Sequence, residues 1–263
     1  MKHAFSLVEL SIVLVILGLL TGGVLTGQSL IRAAELRSVT TDFNSYQTAI
    51  MTFRDKYFGL PGDIRNATDF WGSAGGNGFA HGTCTSQSGT GTQTCNGNGN
   101  GWISGPDTGA VYAEHFLFWQ HLANAGLIEG TFTGKRGAPT FAVLGVNSPV
   151  SKIRGASWEV AGQAAPISGS TAVYDGDYGN FLAFGVIRAN GGVWDPVLTP
   201  EEAWNIDNKL DDGQPAKGKI VAKYWNNLCS KANDGSSTSD DLNASYNLQD
   251  SNIRCLMYFR NAF

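Results

Sequence analysis

The chain has 263 residues, 42% hydrophobic and 15% charged, which is typical of a folded domain with one sizeable core. The formal net charge is -4, and no run of Lys and Arg with interleaved aromatic residues occurs, so nucleic acid is excluded as an expected partner. The 34 glycines cluster with Asn, Ser and Thr between positions 72 and 109, which favours a loop-rich β domain.

The first element is an almost purely apolar segment, residues 5–31, in which Glu9 is the one ionisable side chain. As a helix, a segment of this length crosses about 30 Å of hydrocarbon. Lys2 is the clear positive charge ahead of it, which predicts a cytoplasmic N-terminus and an exported remainder. No small-residue cleavage site of the A-x-A kind follows, so we expect the helix to stay attached to the domain.

Glu9 distinguishes this segment from an ordinary membrane anchor. Burying a carboxylate in lipid costs roughly 2.5 kcal/mol or more, so an acid at this depth is expected to have a partner. A plain single-span anchor has no reason to carry that cost. Glu9 is therefore a candidate functional residue.

The N-terminal segment resembles the prepilin motif of type IV pilins and type II secretion pseudopilins. The matching features are a short basic leader, Phe5, the acid Glu9 and the apolar run SIVLVILGLL. The resemblance implies that a membrane prepilin peptidase cuts between Ala4 and Phe5 and methylates the new amino group of Phe5. The family usually has Gly where this chain has Ala4. The implied partners are other copies or other pilin-like subunits and an inner-membrane assembly platform.

Electrostatics supports an assembly role for Glu9. After processing, the free amine of Phe5 would lie one turn from Glu9. In a hydrophobic fibre core, the amine of one subunit can neutralise the glutamate of its neighbour, whereas an uncompensated carboxylate would be strongly unfavourable. The helix-kinking proline common in the family is missing. Because Gly weakens a helix by about 1 kcal/mol relative to Ala, we expect local melting at Gly22, Gly23 and Gly27.

The helix pattern becomes amphipathic after residue 31, with apolar residues mostly at three- or four-residue steps. No proline occurs from 5 to 60, so we predict one helix of about 54 residues, roughly 80 Å long. The heptads do not persist, which disfavours a coiled coil. Gly59-Leu60-Pro61-Gly62-Asp63 ends the helix. The expected division is a leader (1–4), a transmembrane or fibre-core half (5–31), an amphipathic half (32–58) and an extracytoplasmic head (59–263).

The head begins with polar loops and a helix. Residues 72–106 are predicted to be a Gly-rich surface loop. Its NGNGNG run favours a plain loop over a calcium site, because no acid lies among the asparagines. A helix should begin at Asp107 or Thr108 and run to Ala125. His115 and His121 fall on different faces of this helix, so a two-histidine metal site does not follow.

Short β-like runs come next, at 140–146, 157–160, 172–174 and 181–187, and they predict an antiparallel sheet packed on the long helix. Thr199-Pro200-Glu201-Glu202 combines an N-cap, a Pro at the first helical position and a Glu at the third, which predicts a helix to about Leu210. The expected fold class is α+β and type IV pilin-like: a long N-terminal helix on a small antiparallel sheet with Gly-rich loops.

The four cysteines form two local pairs, Cys84 with Cys95 and Cys229 with Cys255, without C-x-x-C spacing. We predict two structural disulfides, which require an oxidising compartment. The alternative is four reduced, buried thiols in a cytosolic protein. A Cys229–Cys255 bridge would stabilise the fold by about 3 kcal/mol. In the family, a C-terminal disulfide-bounded region often lies on the fibre surface.

Three carboxylates come together at the end of the capped helix: Asp207, Asp211 and Asp212. Such a cluster can bind a hard cation such as Ca²⁺, and some pseudopilins hold calcium in a similar head loop. The alternative is a solvated acidic turn closed by Gly213. No other cofactor is expected.

Two functions stay open at this point. The first is a structural subunit of a type IV pilus or a secretion pseudopilus, located in the bacterial inner membrane with a periplasmic head and then in the fibre. Major pilin, minor pilin and pseudopilin fit equally. The second is a membrane-anchored or fibre-tip adhesin, in which Trp71, Trp102 or Trp194 would stack on sugars. An anchored enzyme is the less favoured form of this second function. No G-x-S-x-G, H-E-x-x-H, Walker or dinucleotide-binding motif occurs, so no catalytic residue is predicted.

Overall fold

The computed structural model describes residues 7–75, 91–104, 114–135, 142–170, 172–189, 191–222, 228–231 and 239–263. The helices are α1 Leu7–Tyr57, α2 Ala67–Trp71, α3 Glu114–Asn124 and α4 Pro200–Leu210. The strands are β1 Ala156–Gln163, β2 Gly179–Ile187, β3 Val193–Asp195, β4 Ile220–Ala222, β5 Ser230–Lys231, β6 Ser245–Tyr246 and β7 Met257–Phe259. The fold class is α+β, as predicted.

α1 is one continuous helix of 51 residues, about 77 Å long at 1.5 Å per residue. The predicted local melting at Gly22, Gly23 and Gly27 is wrong, because the helix runs through all three positions. Each Gly costs only about 1 kcal/mol, and a break would sacrifice several cooperative hydrogen bonds and require a new helix nucleus. The Thr26 hydroxyl also donates a 2.9 Å hydrogen bond to the carbonyl of Gly22.

The predicted end of α1 is confirmed. Phe58, directly after the helix, has a left-handed φ of 54°, and Gly62 has a φ of 83°. Gly62 is required for a second reason: a Cβ there would lie 2.4 Å from the carbonyl oxygen of Glu114. The turn after α1 is therefore packed directly on the backbone of α3.

The main sheet is antiparallel, with strand order β1-β2-β7-β4 and β3 beside β2. The register pairs Trp158 with Phe184 and Phe184 with Met257, so these side chains share one face of the sheet. That face packs on the second half of α1. Phe43 of α1 stacks on Phe259 at a ring-centroid distance of 4.5 Å.

The amphipathic half of α1 forms the centre of the core. Val39, Ile50 and Phe53 are fully buried. Tyr46 lies edge-on to Trp119 of α3, with ring centroids 5.0 Å apart. The predicted packing of a sheet on this half is confirmed, and the structure adds α3 to the same core.

Two of the four predicted strands are confirmed: 157–160 lies in β1 and 181–187 in β2. The other two are wrong. Within the described part of 140–146, Leu144 makes only an isolated bridge. Residues 172–174 belong to the connection between β1 and β2, described at 164–170 and 172–178, which crosses the outer face of the sheet as a strap. The strap is held by an isolated bridge between Ile167 and Gly176.

The central parts of the two predicted head helices are confirmed as α3 and α4. The predicted start of α3 at Asp107 or Thr108 lies outside the described residues, and its end precedes Gly126, whose φ is 71°. α4 has the predicted capping box, in which Thr199 Oγ1 accepts from the amide of Glu202 and the Glu202 carboxylate accepts from the amide of Thr199.

Candidate functional site

The most unusual surface of the chain is the N-terminal half of α1. Every large aliphatic side chain from Leu7 to Ile31 is at least 51% exposed. This half makes up an apolar rod that is long and apolar enough to cross a membrane. Exposed apolar patches of this size mark contacts with other proteins or with a membrane.

Glu9 lies in the first turn of α1, on this exposed rod. The predicted processing site, Ala4 and Phe5, lies outside the described residues. A carboxylate near a helix N-terminus interacts favourably with the helix dipole. The structure thus places Glu9 at the start of the apolar rod and far along the helix from the head.

An ion-pair network marks the point where the rod meets the head. The guanidinium of Arg32 donates to both carboxylate oxygens of Glu202, from Nε at 2.6 Å and from Nη2 at 2.8 Å. Nη1 donates to Glu35 at 3.0 Å. The hydrogen bond from Arg32 and the capping bonds hold the pKa of Glu202 below its usual value despite partial burial. This Arg32 network ties α4 to α1 one residue after the apolar rod ends.

A second structural network lies at the other end of α1, where the predicted NGNGNG loop is drawn into the fold. Asp63 accepts from the amides of Gly99, at 2.6 Å, and Gly101, at 2.8 Å. Glu114 accepts from the amides of Asn98 and Ser104. Burial raises the pKa of both carboxyls, while these amide hydrogen bonds act in the opposite direction. The acids missing from the loop sequence are supplied by two distant segments, and they bind backbone amides.

Two histidines of α3, His115 and His121, are buried in the interior of the head. His121 Nδ1 accepts from the amide of Gly62 at 2.8 Å, and its Nε2 lies 3.0 Å from the hydroxyl of Thr94. Burial lowers the pKa of both His115 and His121 to about 3, so both rings are neutral at physiological pH. His121 joins the turn after α1 to α3 and to the loop around Thr94.

The C-terminal disulfide is formed as predicted, between Cys229 and Cys255, with Cα atoms 4.9 Å apart. Both cysteines are buried in the main core. The amide of Cys255 donates to the carbonyl of Leu198, just before α4. Cys95 is also disulfide-bonded, and its predicted partner Cys84 lies outside the described residues.

The three predicted calcium ligands are brought together, with oxygen atoms of Asp207, Asp211 and Asp212 within 4.8 Å of one another. Asp207 accepts from the hydroxyl of Tyr246 at 2.8 Å. Asp211 accepts from the amide of Ile220 at 3.0 Å. These acids already serve as internal hydrogen-bond acceptors, and calcium binding here stays a prediction.

Asp207, the buried member of this cluster, has a strongly shifted pKa. Burial raises it to about 7, and the negative charges of Asp212 and Asp211 add to the shift. The hydrogen bond from Tyr246 acts in the opposite direction. Since Tyr246 belongs to β6, the carboxyl of Asp207 joins α4 to the segment enclosed by the Cys229–Cys255 disulfide.

The three candidate sugar-binding tryptophans have different surroundings. Trp71 packs among Phe53, Tyr57 and His121 in an aromatic cluster. Trp102 is half-buried beside the loop bound by Asp63. Trp194 alone of the three lines a described cavity, on the outer face of the sheet.

Sequence reasoning missed the roles of Arg32, Asp63 and Glu114. Arg32 could have been singled out as the first charge after the apolar segment. Asp63 and Glu114 carried no local signal, because their partners lie far away in the chain.

Comparison with known proteins finds no match: no family model, no curated protein and no solved structure is significantly similar to the chain. The functional conclusion therefore depends on the residues and contacts described above.

Proposed function

We propose that this chain is a structural subunit of a type IV pilus or a type II secretion pseudopilus, held in a membrane by the apolar half of α1 and assembled through it. The observation that carries the proposal is the contrast within one helix. Residues 7–31 expose every large aliphatic side chain, while the same helix beyond Leu36 supplies fully buried core residues to a folded head.

The exposed apolar half of α1 is expected to be buried in lipid or against other protein chains. Burying one large aliphatic side chain contributes about 1.5–3 kcal/mol, so a rod of such side chains is strongly driven into lipid or against other copies of itself. The length of the rod, about 37 Å for residues 7–31, exceeds the hydrocarbon thickness of a bilayer. In a subunit that is first held in the membrane and later packs into a fibre, lipid covers the rod at the first stage and other subunits cover it at the second.

Glu9 would set the register between subunits. Its carboxylate is costly in lipid, and a fibre core is equally apolar. In the proposed assembly, peptidase cleavage exposes the amine of Phe5, and the amine of one subunit neutralises Glu9 of the next. The match between a buried charge and its partner then selects one axial arrangement over others.

The Arg32 network would fix the head on the rod. Arg32 is the first charged side chain after the apolar half, and it binds α4 and α1 together at that level. A fibre needs heads that sit at a constant angle to their helices, because each head contacts its neighbours. The ion pair and the disulfide at the base of α4 both stiffen this junction.

The test is mass spectrometry of the chain from producing cells together with recovery of sheared surface fibres. We expect a polypeptide that begins at Phe5 with a methylated amine, and fibres that contain the chain. Glu9→Gln should retain membrane insertion and head folding but lose most fibre incorporation. Glu201→Gln, the same chemical change at an exposed site of α4, is the matched control and should assemble normally. A chain that keeps Met1, or normal fibres from Glu9→Gln, would refute the proposal.

A further inference from the structure

The outer face of the sheet, opposite α1, contains a trough created by small side chains. The register aligns Glu159 of β1, Ala183 of β2 and Tyr258 of β7 in one row across the strands. Ala161 follows Glu159 on the same face. Because Ala183 and Ala161 are small, they leave a depression between the larger side chains of Glu159 and Tyr258.

The strap over this face turns the trough into a cavity. Ile167 and Gly176 exchange two backbone hydrogen bonds, of 2.8 and 2.9 Å, which hold the strap closed on itself. Val173 and Tyr178 of the strap pack on the sheet residues Ala183 and Tyr258. The enclosed volume is about 340 Å³, within the range of small-molecule sites.

The walls of the cavity are aromatic. Tyr178, Phe181 and Tyr258 stand edge-to-face with one another, with ring centroids 5.6 to 5.9 Å apart. Trp194 of β3 is half-exposed and forms a further side. Edge-to-face packing restrains these rings, so the site is largely preformed.

One acid supplies the charge of the cavity. Among the described lining residues, Glu159 is the one carboxylate, and no Lys, Arg or His is present. Glu159 is buried, and its Oε2 accepts a hydrogen bond from the amide of Val193, which fixes the position of the carboxylate. Outside the lining, Arg188 is paired with Asp195 at 2.6 Å, and the guanidinium of Arg260 lies over the ring of Tyr178, 5.3 Å from its centroid. The electrostatic preference of the cavity is therefore for a cation.

We propose that this cavity binds an alkylammonium group, a cation with apolar substituents such as the trimethylammonium of choline. Aromatic rings attract such cations through their faces, and the carboxylate of Glu159 supplies the countercharge. A sugar fits less well, because apart from the aromatic residues Gln163 and Ser170 are the uncharged polar side chains of the described lining, too few for a ring of hydroxyls. The inference does not depend on fibre assembly.

The experiment uses the full chain in a polyoxyethylene detergent, titrated with choline chloride and followed by saturation-transfer NMR of the choline methyl protons. The matched ligand is 3,3-dimethylbutan-1-ol, which has the same shape without the charge. We expect choline to bind at least about fivefold more tightly than the neutral alcohol. Equal binding of the two ligands, absence of choline binding at millimolar concentration, or binding of glucose in preference to choline would overturn the proposal.

Two variants locate the site. Ala161→Leu fills the trough without changing charge and should reduce choline affinity at least about tenfold, since the ligand would have to displace the new side chain. Glu159→Gln should remove the preference for choline over the neutral alcohol. Glu201→Gln is the control and should bind as the unmodified chain does. If Glu159→Gln does not fold, Ala161→Leu and the comparison with the neutral alcohol still test the proposal. Unchanged choline binding by a folded Ala161→Leu variant would show that choline binds outside this cavity.

Discussion

Removing the charge of Glu202 should loosen the head from α1, and the size of the effect can be worked from the contacts. Its two oxygens receive charge-assisted hydrogen bonds of 2.6 and 2.8 Å from Arg32. Such bonds contribute about 1.5–3 kcal/mol each when buried. Because the Arg32 side chain is 32% exposed, solvent reduces this contribution. We expect Glu202→Gln to lower the free energy of unfolding by about 1–2 kcal/mol.

A series of substitutions separates the ion pair from the helix cap. Gln at position 202 can still accept from the amide of Thr199, so Glu202→Gln removes the ion pair and keeps the cap. Thr199→Ala removes half of the capping box and should cost about 1 kcal/mol. Glu202→Ala removes both interactions and should cost about 2–3 kcal/mol.

The assay is denaturant unfolding of the full chain in detergent, followed by tryptophan fluorescence. Trp204 of α4 packs against the core and reports on this helix. Glu201→Gln is the control, since Glu201 is exposed and surface substitutions usually stay within about 0.5 kcal/mol. A double-mutant cycle with Arg32→Met isolates the pair. A coupling energy near zero, or equal effects of Glu202→Gln and Glu201→Gln, would show that the junction is held by packing alone.

Three further predictions concern the head. Because burial raises the pKa of Asp207 to about 7, the folded chain retains a proton that the unfolded chain loses above about pH 4. The free energy of unfolding should therefore fall between pH 4 and pH 7, and Asp207→Asn should reduce that fall by about 4 kcal/mol. Asp240→Asn, the same change at an exposed position, is the control. Replacing Cys229 and Cys255 by Ser should lower the free energy of unfolding by about 3 kcal/mol; an unchanged denaturation midpoint would contradict this. Gly97→Ala puts a Cβ 2.3 Å from the backbone of Asp63 and should cost about 2 kcal/mol in thermal unfolding. Gly191→Ala is its control, because a Cβ at Gly191 would make only ordinary van der Waals contacts, the nearest at 3.7 Å.

The elements that could be predicted from the sequence are those defined by local patterns. The apolar segment, the amphipathic continuation of α1, the stop at Gly59 to Asp63 and the capping box at Thr199 all depend on residues within a few positions of one another. β1 and β2 are long enough for alternation to show. The local spacing of Cys229 and Cys255 likewise indicated their disulfide.

The tertiary structure alone decided where distant segments meet. The three-residue strands β3, β4 and β7 carry too little pattern to be recognised. β3 and β7 form because β2 offers them a ladder, and β4 forms because it pairs with β7. Asp63 and Glu114 bind a loop that is remote in sequence, and the outer-face cavity depends on the register that places Glu159 beside Ala183 and Tyr258. Local sequence thus determined the three longer helices, α1, α3 and α4, and which half of α1 is apolar, whereas the five-residue α2 was not predicted. The pairing of buried charges, amides and small side chains across the fold arises only when long-range packing brings them together.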